Sequence, residues 1–490
     1  MTALLAGPAL LVWLISLSLL GALASVVFKR GGRWFALTAV IGNLVLAGLL
    51  LAAAQNGPLR YVLGGWEAPL GIVLYADTLS AMMIGITALV GAAVSWYSLG
   101  YFVVGSAAER SFWPLWCLLL TALNTLFLSA DAFNLYVGLE VLSLSAVALV
   151  TLSSGREATQ AALRYLLVSL MGSLCYLLGV ALLYHAYATL DLALLANLAG
   201  DGILERASLG LMIAGLLLKT ALFPLHFWLP PAHAGAPAPV SALLSALVLK
   251  ATFYLILRLW FDTLTDATTQ TGALLLGLLG CAAIIWGSLQ ALRASRLKQL
   301  VAYSTVAQIG YLFALFPLLN DERVASLAFD SAIYFVIAHA CAKGAMFLAA
   351  GNILTAAGHD RLADLRAVDL PSAITLFALA IAGVSLIGLP PTGGFIAKWL
   401  LLQSAFQVGA WWLAGVVLVG GLLAAAYVFR VLAICFDVSP SSSPIAPPGK
   451  AVTIHLGRQW SALALALAAL ALGFLASPVL SLFDATMITG

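Results

Sequence analysis

The chain has 490 residues, of which 63% are hydrophobic and 8% charged, whereas soluble domains carry about 25% charged residues. With a mean hydropathy of +1.09, this excludes an ordinary soluble enzyme and leaves a polytopic membrane protein with little mass outside the bilayer. The net charge of +3 does not point to nucleic acid, because the basic residues are scattered over loops.

A membrane-spanning helix needs about 20 apolar residues. Fourteen spans are predicted, near 3–27, 34–54, 72–104, 112–130, 132–153, 159–187, 207–225, 238–261, 271–292, 299–319, 327–356, 371–390, 412–437 and 459–483. The twelfth continues after a break to about 408, and the third, sixth and eleventh are long enough to tilt. The first charges, Lys29 and Arg30, follow the first apolar run, which argues for a retained span and against a cleaved signal peptide. The stretch SPSSSPIAPPGK after span thirteen reads as flexible. Nothing between the spans is long enough for a soluble domain, so residues 1–490 read as one transmembrane domain.

Basic residues set the orientation. Loops after odd-numbered spans hold Lys29, Arg30, Arg33, Arg110, Arg156, Arg293, Arg296, Lys298, Arg361, Arg366, Lys450 and Arg458, with Arg164 and Arg430 flanking that side. Loops after even-numbered spans hold Arg60 and Arg323, with Arg206 and Arg258 at span ends facing them. The asymmetry predicts both termini outside and the odd-numbered loops in the cytoplasm.

That tally leaves Lys219, Lys250, Lys343 and Lys398 inside predicted spans, joined by the mid-span Glu140. Each costs about 2.5–3.5 kcal/mol at a helix centre, so the set costs on the order of 12–18 kcal/mol before pairing. A structural role alone rarely justifies that. Lys398 has the alternative of snorkelling to an interface, and Lys343 that of bonding a carbonyl at a bend. His339 and Lys343 are four residues apart and share a helix face. His226 and His233 fall in a broken stretch and are placed near cytoplasmic water; His185, His359 and His455 read as peripheral.

The broken stretch is KTALFPLHFWLPPAHAGAPAPVSALLSALVLK, from Lys219 to Lys250. Pro224, Pro230, Pro231, Pro237 and Pro239 would destroy a soluble helix. A membrane protein tolerates them where the freed backbone groups line a cavity, as in the ion sites of transporters. GLPPTGGFIAK breaks span twelve in the same way, five spans later, and an odd offset reverses orientation as inverted repeats require.

The chemistry these residues permit is proton movement. Burial disfavours a lysine ammonium and a nearby carboxylate favours it, by about 1–3 pK units. One unit is about 1.36 kcal/mol, and moving one charge through 100 mV is worth about 2.3 kcal/mol. Changing the Glu140–Lys219 distance is therefore enough to load or release a proton against a membrane potential. No metal site, iron–sulfur site or nucleotide loop is indicated: the five cysteines lie far apart and no His/Asp/Glu cluster has ligand spacing.

ADAFNLYVGLEVLSLSAVAL, the Lys219–Lys250 stretch, RLKQLVAYSTVAQIGY and GLPPTGGFIAKW together resemble the antiporter-like subunits of respiratory complex I, membrane-bound hydrogenases and Mrp-type cation/proton antiporters. The resemblance spans nearly the whole chain. It implies an all-α fold of fourteen helices with two inverted five-helix repeats, 112–261 and 271–437, and broken helices seven and twelve. It implies a proton relay through Glu140, Lys219, Lys250, His339, Lys343 and Lys398. It also implies an inner-membrane complex with partner subunits, moving protons with or without Na⁺ or K⁺, and no flavin, cluster or nucleotide in this chain. FNLYV resembles the Mrp D-type subunit most, and VGLE and GAPAPV also resemble the complex I N-type subunit. Whether the assembly is an oxidoreductase stays open, as does a stand-alone solute transporter.

Overall fold

The computed structural model describes residues 7–29, 31–367, 373–436 and 454–484. The SPSSSPIAPPGK loop, Arg30, Lys450 and both chain ends lie outside the described residues. The chain is almost entirely helical. Its helices are α1 Ala9–Val27, α2 Gly32–Ala54, α3 Thr78–Tyr101, α4 Ala107–Leu128, α5 Ala132–Val150, α6 Arg156–Tyr187, the short α7 Leu192–Leu198, α8 Ile203–Thr220 and the short α9 Leu229–Gly235. There follow α10 Ala238–Thr263, α11 Gln270–Arg293, α12 Leu297–Leu319, α13 Ala325–Ala357, α14 Ala373–Ile387, α15 Gly393–Gln407, α16 Trp411–Cys435, α17 Leu456–Ala471 and α18 Ala476–Asp484. One small antiparallel pair, β1 Leu59–Val62 with β2 Val73–Ala76, joins α2 to α3.

Among the described residues, eleven helices are long and apolar enough to cross a membrane, or twelve if the bent pair α17/α18 counts as one. The seventh and twelfth expected spans are absent from that count, and both are broken. The seventh is α8, with the turn to α9 after it; the twelfth is α14 and α15, split at residues 388–392. Short polar side chains start many helices by accepting a backbone N–H of the first turn: Asp77 from Ser80, Ser106 from Glu109, Asp131 from Asn134 and Thr392 from Phe395.

Burial sorts the helices into a core and a ring. The apolar windows of α10 and α13 are 100% buried, against 39% for α1 and α16. A helix apolar on every side belongs inside a bundle. The charged candidates of α10 and α13 are thus removed from lipid, and α12 packs beside them. Helices α6 and α8 approach closely at Gly172 and Gly215. A Cβ on Gly172 would stand 2.7 Å from the Gly215 carbonyl and 3.3 Å from Lys219 Cγ, so glycine there lets the lysine stem pass.

Two backbone bridges have the same pattern. Asp131 pairs with Asp191 at the start of α5 and the end of α6, with Ala132 N–H donating to Leu190 and Leu192 N–H to Ala130. Arg296 pairs with Arg361 at the start of α12 and the end of α13, with Leu297 N–H donating to Asp360 and Leu362 N–H to Ser295. Helices α12 and α13 are the tenth and eleventh expected spans, five after α5 and α6.

Candidate functional site: a line of lysines on neutral acceptors

The first node joins α5 and α8. Lys219, 4% exposed, donates from Nζ to Ser143 Oγ at 2.6 Å. Ser143 spends its own proton on the Leu139 carbonyl, so its oxygen faces the lysine as an acceptor. Glu140 precedes Ser143 by three residues on the same helix and lies within electrostatic reach of Lys219. Its buried Oε1 has no hydrogen-bond partner. No hydrogen bond or ion pair joins Glu140 to Lys219; the direct contact of the lysine is the serine hydroxyl. Beside this node, Thr220 Oγ1 donates to Thr252 Oγ1 at 2.8 Å and ties α8 to α10 near Lys250.

The second node is central. Residues Leu244–Val248 of α10 form a π turn, whose wider ring displaces backbone groups from the regular ladder. Lys250 folds back and donates to the Ser245 carbonyl of that turn. The Ser245 hydroxyl meets Thr305 Oγ1 at 2.9 Å, and Thr305 donates to the Val301 carbonyl at 3.1 Å. Lys343 reaches the same carbonyl at 2.9 Å and Ser304 Oγ at 2.5 Å. Lys250 and Lys343 are thus linked through α12 by the carbonyl and hydroxyl of Ser245, the Thr305 hydroxyl and the Val301 carbonyl. Both are at most 1% exposed and act on each other electrostatically. Like charges in a low dielectric oppose double protonation.

The third node sits at the break between α14 and α15. Lys398, 5% exposed, donates to the Leu386 and Ile387 carbonyls at 2.8 and 3.1 Å and lies 4.3 Å from the Tyr311 ring centre. It does not snorkel. Gln308 Nε2 shares the Leu386 carbonyl at 3.1 Å. Between this node and the central one lies a small cavity of about 10 Å³, lined by Gln308, His339, Ser385 and Gly394. Both ring nitrogens of His339 and the Ser385 hydroxyl lack partners, although one imidazole nitrogen must carry a proton. His339 is within electrostatic range of Lys250, Lys343 and Lys398. The buried Tyr427 hydroxyl lies beside Gln308 and Ser304, between the two nodes, and closes a hydrogen bond to neither.

Three sequence placements need correction. Lys298 does not lie in a cytoplasmic loop: α12 begins at Leu297, and Lys298 is 3% exposed, donating to the Ala234 and Ala236 carbonyls of the broken stretch. Arg458, also counted as a loop residue, is 5% exposed and donates to Tyr97, Gly351 and Thr355. His233 is likewise buried, stacked on Phe347, not bathed in cytoplasmic water. The sequence reading missed Ser143, Ser245, Ser304, Thr305, Gln308, Tyr311 and Tyr427. Ser143 carried a signal, a hydroxyl one turn from a buried acid; the others did not. Among the described residues no group of three or more His, Cys, Asp or Glu side chains could hold a metal.

Every lysine in this line rests on neutral oxygens. A carbonyl or hydroxyl accepts from an ammonium or from an amine, so the contact survives loss of the proton. An ion pair would hold the charged form. The arrangement therefore suits proton exchange better than fixed charge.

Residues 129–424 match the family described as NADH:quinone oxidoreductase/Mrp antiporter, TM. The chain is 37% identical to the N subunit of NADH-quinone oxidoreductase from Desulforudis audaxviator, over 83% of this chain and 81% of that one. It is 31% identical to the D-type subunit of the Na(+)/H(+) antiporter from Alkalihalophilus pseudofirmus, over 78% of each. In three dimensions it is similar to a chain of the membrane-bound sulfane sulfur reductase, an archaeal respiratory membrane complex, with a TM-score of 0.86, 26% identity and 97% and 96% coverage.

Proposed function

The chain belongs to the NADH:quinone oxidoreductase/Mrp antiporter transmembrane family, and on that premise we propose that it is a proton-translocating membrane subunit of a multisubunit cation/proton antiporter. The observation that carries this is the set of four buried lysines on neutral acceptors, Lys219, Lys250, Lys343 and Lys398, the middle two joined through α12. Glu140 sets the charge at one end, and His339 bridges the last gap. Na⁺ or K⁺ moves in exchange, as the names of the antiporter relatives say of those proteins.

The two halves 112–261 and 271–437 are read as inverted repeats, supported by the matching bridges at Asp131–Asp191 and Arg296–Arg361. On that register Glu140, nine residues after Asp131, corresponds to Thr305, nine after Arg296, and Ser143 corresponds to Gln308. The carboxylate belongs to the first half alone, so the halves differ in how firmly they hold a proton. The excess of basic residues in the odd-numbered loops supports an orientation with both termini outside a cell membrane and those loops in the cytoplasm.

A second reading has its own support. The identity to the N-type relative, 37%, exceeds that to the D-type relative, 31%, which favours a pump subunit in an oxidoreductase complex. Isolation of the native complex discriminates. Small antiporter subunits as neighbours support the first reading, and quinone-module or hydrogenase subunits replace it with the second. Uptake of an organic solute by the chain alone would remove both.

A further inference from the structure

A second polar feature shares no residue with the lysine line. The ends of α1 and α3 and the starts of α2 and α4 enclose a groove of about 500 Å³, lined by Lys29, Arg33, Glu109, Arg110 and Trp113. Three cations face one carboxylate. Glu109 is already engaged, accepting the Gly105 N–H at 2.5 Å and facing Arg33 Nη1 at 3.5 Å. Two donors in the wall are left over: the buried Arg33 Nε and the indole N–H of Trp113, a residue only 2% exposed, have no acceptor. A buried donor without an acceptor is disfavoured, and an anion with several oxygens would satisfy both.

The rim identifies the anion's carrier. Phe28, Trp34 and Val104 beside the groove are 54%, 57% and 65% exposed, an apolar edge where acyl chains run. Both loops follow odd-numbered spans, the face that holds most of the basic residues. Basic pockets between transmembrane helices on that face receive anionic headgroups. We propose that this groove binds the phosphate of an anionic phospholipid, with Lys29, Arg33 and Arg110 neutralising the headgroup and the Trp113 indole N–H donating to a phosphate oxygen.

The test uses the native complex, delipidated in detergent and re-equilibrated with phosphatidylglycerol or phosphatidylcholine, with bound lipid counted by native mass spectrometry. Lys29→Gln with Arg110→Gln removes two exposed cations, and Trp113→Phe removes the indole donor while keeping an aromatic ring. The wild type should retain at least one more phosphatidylglycerol per chain than either variant, with equal phosphatidylcholine. Equal phosphatidylglycerol retention overturns the proposal. Displacement of the lipid by millimolar inorganic phosphate overturns it too, because it marks a site for the free anion. Loss of a neighbouring chain from the charge variant with lipid retention unchanged assigns the groove to an acidic protein segment instead.

Discussion

Lys219 donates to the hydroxyl of Ser143 at 2.6 Å, one helical turn from Glu140, so the two charges share a node without touching. A lysine held by a carboxylate is a pair; a lysine held by a serine beside a carboxylate is adjustable. Glu140→Ala should abolish cation-dependent proton movement in vesicles with assembly intact. Ser143→Ala should be milder, lowering flux about tenfold, the equivalent of about 1.4 kcal/mol for one lost hydrogen bond to a charged group. Wild-type flux in a well-assembled Glu140→Ala complex would sink the assignment.

At the central node, Lys250 and Lys343 meet through Ser245, Thr305 and the Val301 carbonyl. Arginine keeps the charge and never gives up its proton. Lys250→Arg should therefore assemble and fail to transport. Proton uptake on a valinomycin-imposed potential is the measurement, and normal turnover would reduce Lys250 to a fixed charge.

Lys398 holds two carbonyls freed where α14 ends, 2.8 and 3.1 Å away. Glutamine can donate to one of them but cannot exchange a proton near neutral pH. Lys398→Gln should assemble normally and lose most of its flux, by at least about tenfold, or about 1.4 kcal/mol in barrier. Flux per assembled complex close to wild type would take Lys398 off the route.

The opposite kind of contact occurs at Asp77, just before α3. Burial would raise this carboxyl, but the Arg258 guanidinium at 2.5 Å and hydrogen bonds from Arg258 and Ser80 hold it below the ordinary carboxylate value. A depressed folded-state pKa stabilises above the unfolded pKa, and that gain disappears as pH falls through the folded one. The latch should hold at neutral pH and open only in acid below about pH 4. Asp77→Asn should cost about 1–3 kcal/mol at pH 7 and nothing at the acid extreme. Thermal unfolding in detergent across pH reads this out, and an equal loss at both pH values would refute it.

The amino-acid sequence by itself determined most of the spans, the two breaks and the identity of five costly residues, because a charge inside an apolar run and a cluster of prolines are local facts. Glu140, Lys219, Lys250, Lys343 and Lys398 were legible on that ground, and His339 by its spacing of four residues from Lys343. What the sequence could not contain was the acceptor for each proton. Ser245 meets Thr305 across 60 residues and Lys343 meets Val301 across 42, contacts fixed by how α10, α12 and α13 pack and invisible to hydropathy, which prices a serine in a helix as nearly neutral. Lys298 shows the same limit from the other side. Two residues after Arg296 it reads as a loop charge, and only the return of Ala234 and Ala236 over it makes it a buried lysine. The cost of a buried charge belongs to one residue, whereas its compensation belongs to the neighbours that tertiary packing brings.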